Sequence, residues 1–326
     1  MFALTIENEK CLPLIEIDQF APPASNQITW IHLQGDIDNA RNWLVENKHL
    51  DLQSIDALCN ELTRPRLFIN MDEALILTLR ASGQSLAGHS LQNKETLSLR
   101  LWMSGNLLIS VSRREVVAVS ETVQKLKTRA KGIRSVHHLL WQICDKVTGT
   151  LTDWTSELEE TLDLIEDTWD EKHSVDTPTL HALRQDTSQI RRYLGPQVET
   201  LERLSPTIIE YFATADEEHQ QLARWREVAN AAKRDFEALT EMRERVTILQ
   251  DAIEQRTRES THRTMYLLSV VATFFLPLTF ITGLLGMNVD GIPIHDKAWA
   301  FWAVCVFMVI IAFLQWLLFR WWQWLK

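Results

Sequence analysis

The chain has 326 residues, a formal net charge of −10 and a hydrophobic content of 46% that is spread very unevenly. The acidic balance argues against nucleic-acid binding, which needs clustered Lys and Arg to neutralise phosphates. The four cysteines are scattered and form no Cys-x-x-Cys pair, so neither a zinc finger nor a dithiol redox site is indicated. The first ten residues carry two glutamates and no long apolar core, unlike a secretory signal peptide.

Residues 1–115 are predicted to form a cytoplasmic α/β domain. Apolar runs predict four strands, at 28–33, 74–80, 96–103 and 107–112. Ser104-Gly105-Asn106 predicts a hairpin between the last two strands. Two helices are predicted at 38–47 and 51–61, each beginning with an aspartate that can act as the N-cap. The sequence contains no Gly-rich phosphate loop and no constellation of catalytic residues, so we do not expect an enzyme.

Residues 116–264 are predicted to form a cytoplasmic helical domain. Apolar residues recur every three or four positions from Leu151 to Trp169, with acidic residues on the other faces. A second helix is predicted from Thr177, and Gly195-Pro196 is a candidate kink or interruption in it. Beyond Pro206, near-heptad spacing predicts a stalk helix that continues into the next segment. The alternative is two helices with a break near Ser260-Thr261.

Residues 265–326 are predicted to form a transmembrane hairpin. The runs 265–285 and 298–319 contain no Asp, Glu, Lys or Arg. About 20 helical residues at 1.5 Å each cross a hydrocarbon core of about 30 Å, so both runs are long enough. The outer loop, 286–297, is too short to hold a domain. The alternative is a buried helical hairpin of a soluble protein, but buried helices rarely run this long without a charge.

Basic residues predict the orientation of the hairpin. Apart from His295, the only basic side chain of the loop is that of Lys297, and the loop also carries Asp290 and Asp296. Five basic residues flank the two spans on their other sides: Arg256, Arg258, Arg263, Arg320 and Lys326. The positive-inside rule therefore places both termini in the cytoplasm.

The hairpin resembles the CorA superfamily of divalent-cation channels and transporters. The match is Phe-Leu-Pro-Leu-Thr-Phe-Ile-Thr-Gly at 275–283, followed by Gly286-Met287-Asn288 at the end of the first of two C-terminal spans. Gly291-Ile292-Pro293 and the upstream segment 62–66 (Leu-Thr-Arg-Pro-Arg) resemble more closely the zinc-transporter branch, ZntB. The resemblance implies an α+β membrane protein of the bacterial inner membrane, assembled as a CorA-like homopentameric funnel whose first span lines the pore.

Asn288 is the leading candidate for the cation entrance. Its neutral carboxamide offers a carbonyl oxygen, and a ring of such groups can accept hydrogen bonds from the water shell of a hydrated dication. Gly286 is expected to end the helix, and Met287 to support the turn. One face of the first span traces back from Asn288 and is a candidate pore lining with a hydrophobic constriction, although plain packing is the other interpretation: Met265, Leu268, Ala272, Leu276, Thr279 and Gly283.

Four further residues are candidate metal contacts: Asp290, His295 and Asp296 in the outer loop, and His262 before the first span. Carboxylate oxygen and imidazole nitrogen are both acceptable ligands for zinc. A solvated polar loop explains the first three equally well, and a water-facing side chain explains His262.

The expected function is divalent-cation transport with Zn²⁺ favoured as the transported ion and with no resident cofactor. A Mg²⁺/Co²⁺ channel of the CorA type is the alternative within the class, because an Asn ring suits any hydrated dication. A membrane-anchored cytoplasmic enzyme or scaffold is the alternative from another class. The expected partners are further copies of the chain, divalent cations and membrane lipid, without nucleic acid.

Overall fold

The computed structural model describes residues 1–7, 10–12, 23–24, 27–46, 50–83, 95–128, 133–212, 218–287 and 299–321. For residues 218–221 and 300 it describes the backbone alone. The chain forms two compact units, Met1–Thr247 and Ile248–Lys326.

A seven-stranded mixed sheet forms the first part of the Met1–Thr247 unit. Its strands are β1 (Phe2–Glu7), β2 (Lys10–Leu12), β3 (Gln27–Gln34), β4 (Arg66–Ile69), β5 (Leu75–Ser82), β6 (Thr96–Ser104) and β7 (Leu107–Ser112). They lie in the order β2-β1-β3-β7-β6-β5-β4. Among the described strands β3 and β7 pair in parallel, and the other neighbours are antiparallel.

The four predicted strands are confirmed as β3, β5, β6 and β7, while β1, β2 and β4 were not predicted. The hairpin between β6 and β7 is confirmed as well. Ser104 pairs with Leu107, and Gly105 takes a φ of 51°, a left-handed conformation that glycine adopts without a steric penalty.

Two short helices, α1 (Ile37–Glu46) and α2 (Leu52–Cys59), cover one face of this sheet. Their buried apolar side chains share a core with inward-facing residues of β3, β6 and β7, among them Ile31, Trp102 and Ile109. The Asp51 side chain accepts a hydrogen bond from the Ser54 N–H at 3.3 Å, so the predicted cap of α2 is confirmed. The predicted cap of α1 is wrong, because the Asp36 carboxylate, and not that of Asp38, accepts a backbone N–H, at 3.2 Å.

The helices that follow are α3 (Val117–Thr128), α4 (Val136–Lys172), α5 (Thr177–Phe212), α6 (Glu218–Leu285) and α7 (Ala300–Trp321). Side chains of the opposite sheet face, including those of Trp30, Leu79 and Leu108, are also fully buried. Contacts with α3, α4 and α5 reach β4, β5 and β7. The sheet is therefore covered by helices on both faces.

Of the kink and the interruption that Gly195-Pro196 allowed, the interruption is wrong, because α5 continues through both Pro196 and Pro206, while the kink stays a prediction. Gly195 allows α5 to approach α6 closely, since a Cβ there would lie 3.2 Å from Cε2 of Phe236. The stalk prediction is confirmed: α6 is one helix of 68 residues, without the alternative break near Ser260-Thr261.

Among the polar contacts that join α4 to α6 within the first unit, two involve carboxylates. The Arg245 guanidinium donates to Asp163 at 2.5 Å and to both oxygens of Glu166 at 2.5 and 3.1 Å. The Thr152 hydroxyl donates to the Asp235 carboxylate at 2.7 Å. Burial raises the pKa of Asp235, and the hydrogen bond from Thr152 opposes that effect by stabilising the carboxylate.

Asn70 joins α2 to the turn between β4 and β5. Its amide nitrogen donates to Asp51 and to Ser54, both at 3.0 Å. Its carbonyl oxygen accepts the backbone N–H groups of Asp72 at 3.1 Å and Ala74 at 2.7 Å. One buried side-chain amide thus accepts hydrogen bonds from the backbone of the turn and also holds the start of α2 beside it.

Replacing Asn70 with alanine should destabilise the protein by about 3 kcal/mol, because buried donors and acceptors lose their partners. Thermal unfolding of the full-length protein in detergent measures the change, as a melting temperature lower by about 5–10 °C. The matched control is Gln53→Ala, which removes an exposed amide from α2. Equal melting temperatures for the two variants would contradict this role of Asn70.

Candidate functional site

The end of α6 and the whole of α7 form the apolar part of the Ile248–Lys326 unit. Each of the two helices contains a window long and apolar enough to cross a membrane, and neither window is buried in the single chain. Large side chains such as Leu276 and Phe280 are 69% and 67% exposed. A soluble hairpin would bury this surface, so the alternative of a buried hairpin is wrong for the described residues.

The partly covered residues of both helices recur every three or four positions. On α6 they are Val270, Phe274, Pro277, Leu278 and Ile281. On α7 they are Val304, Cys305, Met308, Ile311, Ala312, Gln315 and Phe319, the last of which is buried. Each apolar helix therefore has one covered face and one open face.

All six candidate pore residues lie on the open face of α6. Met265, Leu268 and Leu276 are 61%, 65% and 69% exposed, and the other three are exposed as well. At about 100° of rotation per residue, the mean direction of the six lies about 180° from that of the covered residues. The structure thus brings the predicted residues together as one continuous stripe, which the single chain leaves unoccupied.

This stripe is almost entirely apolar, with Thr279 as its polar side chain. Neighbouring hydroxyls on α6 bond to their own helix: Thr273 donates to the Ser269 carbonyl at 2.7 Å, and Thr282 to the Thr279 carbonyl at 2.9 Å. Such a surface offers a permeating ion no charged ligand. A surface of this composition is poorly wetted.

The described chain continues past the C-terminal end of α6 as far as Met287. The Gly286 N–H donates to the Thr282 carbonyl at 2.9 Å, and a Cβ on Gly286 would lie 3.1 Å from that same oxygen. Gly286 does not take a left-handed φ, so glycine is favoured here by the close approach of that oxygen and not by the backbone conformation. Met287 is 48% exposed. Asn288, Asp290, His295 and Asp296 lie outside the described residues.

Histidines elsewhere do not assemble a metal centre in the described part of the chain, where no group of three or more His, Cys, Asp or Glu side chains could hold an ion. His262 is exposed on α6. His32 is buried in the sheet, and burial, with a smaller effect of the N-terminal charge, lowers its pKa to about 3. His32 is therefore neutral at physiological pH and bonds to Ser110 at 2.8 Å.

Gln315 was not singled out from the sequence. It is the one amide of α7, it lies on the covered face, and its Oε1 is buried without a hydrogen-bond partner in the described residues. In a hydrocarbon environment an unpaired amide is unfavourable and favours bonding to another helix. A lone amide in an otherwise apolar span was the signal that could have found it.

The comparisons with known proteins agree with this architecture. The family model described as CorA-like Mg2+ transporter protein matches residues 25–320. The divalent cation transporter CmaX of Pseudomonas aeruginosa is 33% identical over 298 residues, which cover 91% of this chain and 87% of the relative. The zinc transport protein ZntB of an Enterobacter species is 28% identical over 282 residues, covering 86% and 83% of the two chains.

Solved structures give the same result. The full-length CmaX structure matches with a TM-score of 0.82 and 29% identity, covering 98% of this chain and 96% of that one. The CorA magnesium transporter of Methanocaldococcus jannaschii matches with a TM-score of 0.77 at 18% identity, which shows the fold alone. The shared fold is an N-terminal α/β domain, a long helix and two C-terminal apolar helices.

The match over residues 25–320 covers both the α/β domain and the apolar helices. The family is a transporter family and not an enzyme class, so the alternative of an anchored enzyme has no support. The chain belongs to the CorA family and is a divalent-cation transporter of that family.

Proposed function

We propose that this chain forms a homopentamer that carries Zn²⁺ across the bacterial inner membrane through a pore lined by the open face of α6. The observation that carries the proposal is the exposed stripe from Met265 to Gly283, which lies opposite the covered face of the same helix. Zinc is favoured because the chain resembles the ZntB branch at Gly291-Ile292-Pro293 and at 62–66, and because ZntB relatives match over most of its length.

The geometry of one chain supports an assembly of several copies. A two-helix hairpin cannot enclose a pore, so several copies must surround an axis, and such assemblies are usually cyclic. The open stripe of α6 is the surface that copies can present to that axis. The number five comes from the resemblance to the CorA superfamily.

Asn288 is proposed to receive the ion at the outer entrance. Stripping the water shell from a small dication is costly, so a ring of neutral carbonyl dipoles that binds the hydrated ion favours passage. Gly286 and Met287 would place the amide at the end of the helix. Asp290, His295 and Asp296 would make the entrance negative and concentrate cations, and His262 would contact ions at the inner end.

Mg²⁺ is the second candidate ion, because the matching family is described as a CorA-like Mg2+ transporter. The two apolar spans contain no carboxylate or histidine, which an intramembrane proton relay would need. Any coupling to protons would therefore involve residues outside the two spans.

Both termini are proposed to lie in the cytoplasm, because five of the six Lys and Arg residues next to the spans lie outside the connecting loop, which carries Lys297. A cysteine introduced at Asp290 should then react with an impermeant thiol reagent added to intact cells. A cysteine introduced at exposed Glu254 is the inner control and should react after lysis. The reverse pattern would contradict the orientation.

The pore assignment predicts which face of α6 meets its own copies. In a background without native cysteines, Leu276→Cys should form disulfides between subunits under mild oxidation, because its side chain lies near the axis. Phe274→Cys, on the covered face, is the matched control and should not. Native mass spectrometry should give the mass of five chains. A stable monomer, or cross-linking of Phe274→Cys alone, would contradict the model.

The entrance assignment predicts a transport defect in Asn288→Leu, which removes the acceptor at similar volume. Zn²⁺ uptake should fall about tenfold or more, since a loss of about 1.4 kcal/mol in ion binding is a tenfold change. Asn288→Asp keeps an acceptor and adds charge, so it should bind dications while releasing them more slowly. Wild-type uptake by an Asn288→Leu variant that elutes as the intact oligomer would remove Asn288 from the mechanism.

A further inference from the structure

Four arginines occupy one patch of the sheet in the first unit. They are Arg66 of β4, Arg80 of β5, Arg100 of β6 and Arg113, which follows β7. Their face is the one covered by α1 and α2, because Trp102, two residues from Arg100, donates its indole N–H to Ser54 of α2 at 3.1 Å. The concentration of positive charge contrasts with the net charge of −10 of the whole chain.

The strand register makes these arginines neighbours. Arg66 pairs with Thr78, and Thr78 pairs with Arg100, so the three residues form a row across the sheet. Neighbouring strands are about 4.8 Å apart, which separates the backbones of Arg66 and Arg100 by about 10 Å. Arg80 lies two residues beyond Thr78, and Arg113 lies two residues beyond Val111, the partner of Arg100 on β7. Both arginines therefore stand on the same face of the sheet, in the next row.

Arg80 is buried, with 9% of its surface exposed, and its partners are uncharged. Its guanidinium donates to the Ser98 hydroxyl at 2.9 Å and to the hydroxyl of Thr96 at 2.6 Å. It also stacks on the ring of Tyr193, 4.3 Å from the centroid. None of these groups is a carboxylate. Glu95 forms its ion pair with Arg114, and its charge only partly opposes the lowering of the Arg80 pKa by burial.

Arg100 is more deeply buried, with 2% of its surface exposed. It donates to the backbone carbonyl of Asn60 at 2.6 Å. Burial lowers its pKa, and the charges of Arg113, Arg66 and Arg80 lower it further. The Arg113 guanidinium lies 3.7 Å from the Glu61 carboxylate. Both side chains are largely exposed, so this ion pair is weak.

Several donors of the patch have no partner. The Nε atoms of Arg66, Arg80 and Arg100, together with the Thr78 hydroxyl, are buried and bond to no group of the described chain. No carboxylate of the described residues forms an ion pair with these three arginines. Buried donors and buried like charges are both unfavourable, and an anion with several oxygens would relieve both.

We propose that this patch binds an oxyanion of the phosphate type, either inorganic phosphate or the phosphate group of a nucleotide. Arg100 forms the floor of the site, and Arg66 and Arg113 form its rim. The planar guanidinium group suits this ligand because its N–H donors match the oxygens of a phosphate in pairs. The site lies in the first unit and does not depend on the transport proposal.

The site also gives a role to a segment that has none in the proposed transport mechanism. The segment Leu62–Arg66 connects α2 to β4 and includes Arg66 of the rim, together with exposed Arg64. Asn60, just before this segment, supplies the carbonyl that holds Arg100. The segment therefore links the end of α2 to the floor and rim of one site.

The test measures thermal unfolding of the full-length protein in detergent while sodium phosphate replaces sodium chloride at constant ionic strength. A ligand that binds the folded state raises the melting temperature with its concentration. The wild-type protein and Arg203→Gln, which removes an exposed arginine of α5, should both show this rise. Arg66→Gln and Arg113→Gln should each lose most of it. A parallel titration with metal-free ATP distinguishes the sources: a half-maximal shift at lower concentration than phosphate identifies a nucleotide.

Two results would overturn the proposal. The first is a phosphate-dependent rise that persists in both rim variants, since binding would then lie elsewhere. The second is a wild-type protein that responds neither to phosphate nor to ATP. If Arg66→Gln also dissociates the oligomer in that case, a carboxylate from another copy neutralises the patch instead. Because Arg113 is exposed, its variant should fold normally and keeps the test valid if Arg66→Gln does not.

Discussion

The apolar surface that one chain leaves exposed is the constraint on which the proposed pore depends. The end of α6 and all of α7 expose large aliphatic and aromatic side chains along most of their length. Helices satisfy their own backbone hydrogen bonds, so they are stable in lipid, while their side chains need lipid or other protein around them. Because each of the two helices has only one partly covered face, the remaining surface is available to lipid and to further copies. The open stripe of α6 is therefore where a pore between copies can form.

The Met1–Thr247 unit follows a different principle, in which polar groups are satisfied locally. Asn70 bonds to the start of α2 and to the turn between β4 and β5 at once, and Arg245 joins α4 to α6 through two carboxylates. The arginine patch departs from this rule, since its buried charges have uncharged partners. Such departures are informative because burying an unpaired charge is unfavourable, and a site that tolerates it is a candidate for a ligand.

The sequence predicted the long elements well because their signals are local. Charge-free runs, near-heptad spacing and the Gly105 turn each act within a few residues, and all three were confirmed. The short β4 was missed because four residues directly after Pro65 carry little pattern. Pairing of β3 with β7 joins residues about 80 positions apart, so neither the strand order nor the arginine patch could be predicted from local patterns. The α6 stripe was predictable because helical periodicity alone defines it.

The most direct test of the account is cation flux through the purified wild-type protein in liposomes loaded with a fluorescent indicator for Zn²⁺ or Mg²⁺. We expect saturable Zn²⁺ entry that exceeds Mg²⁺ entry at equal concentration and is absent from protein-free liposomes. Faster entry of Mg²⁺ would contradict the zinc assignment. A correctly assembled protein that conducts neither ion would contradict the pore formed by the open face of α6.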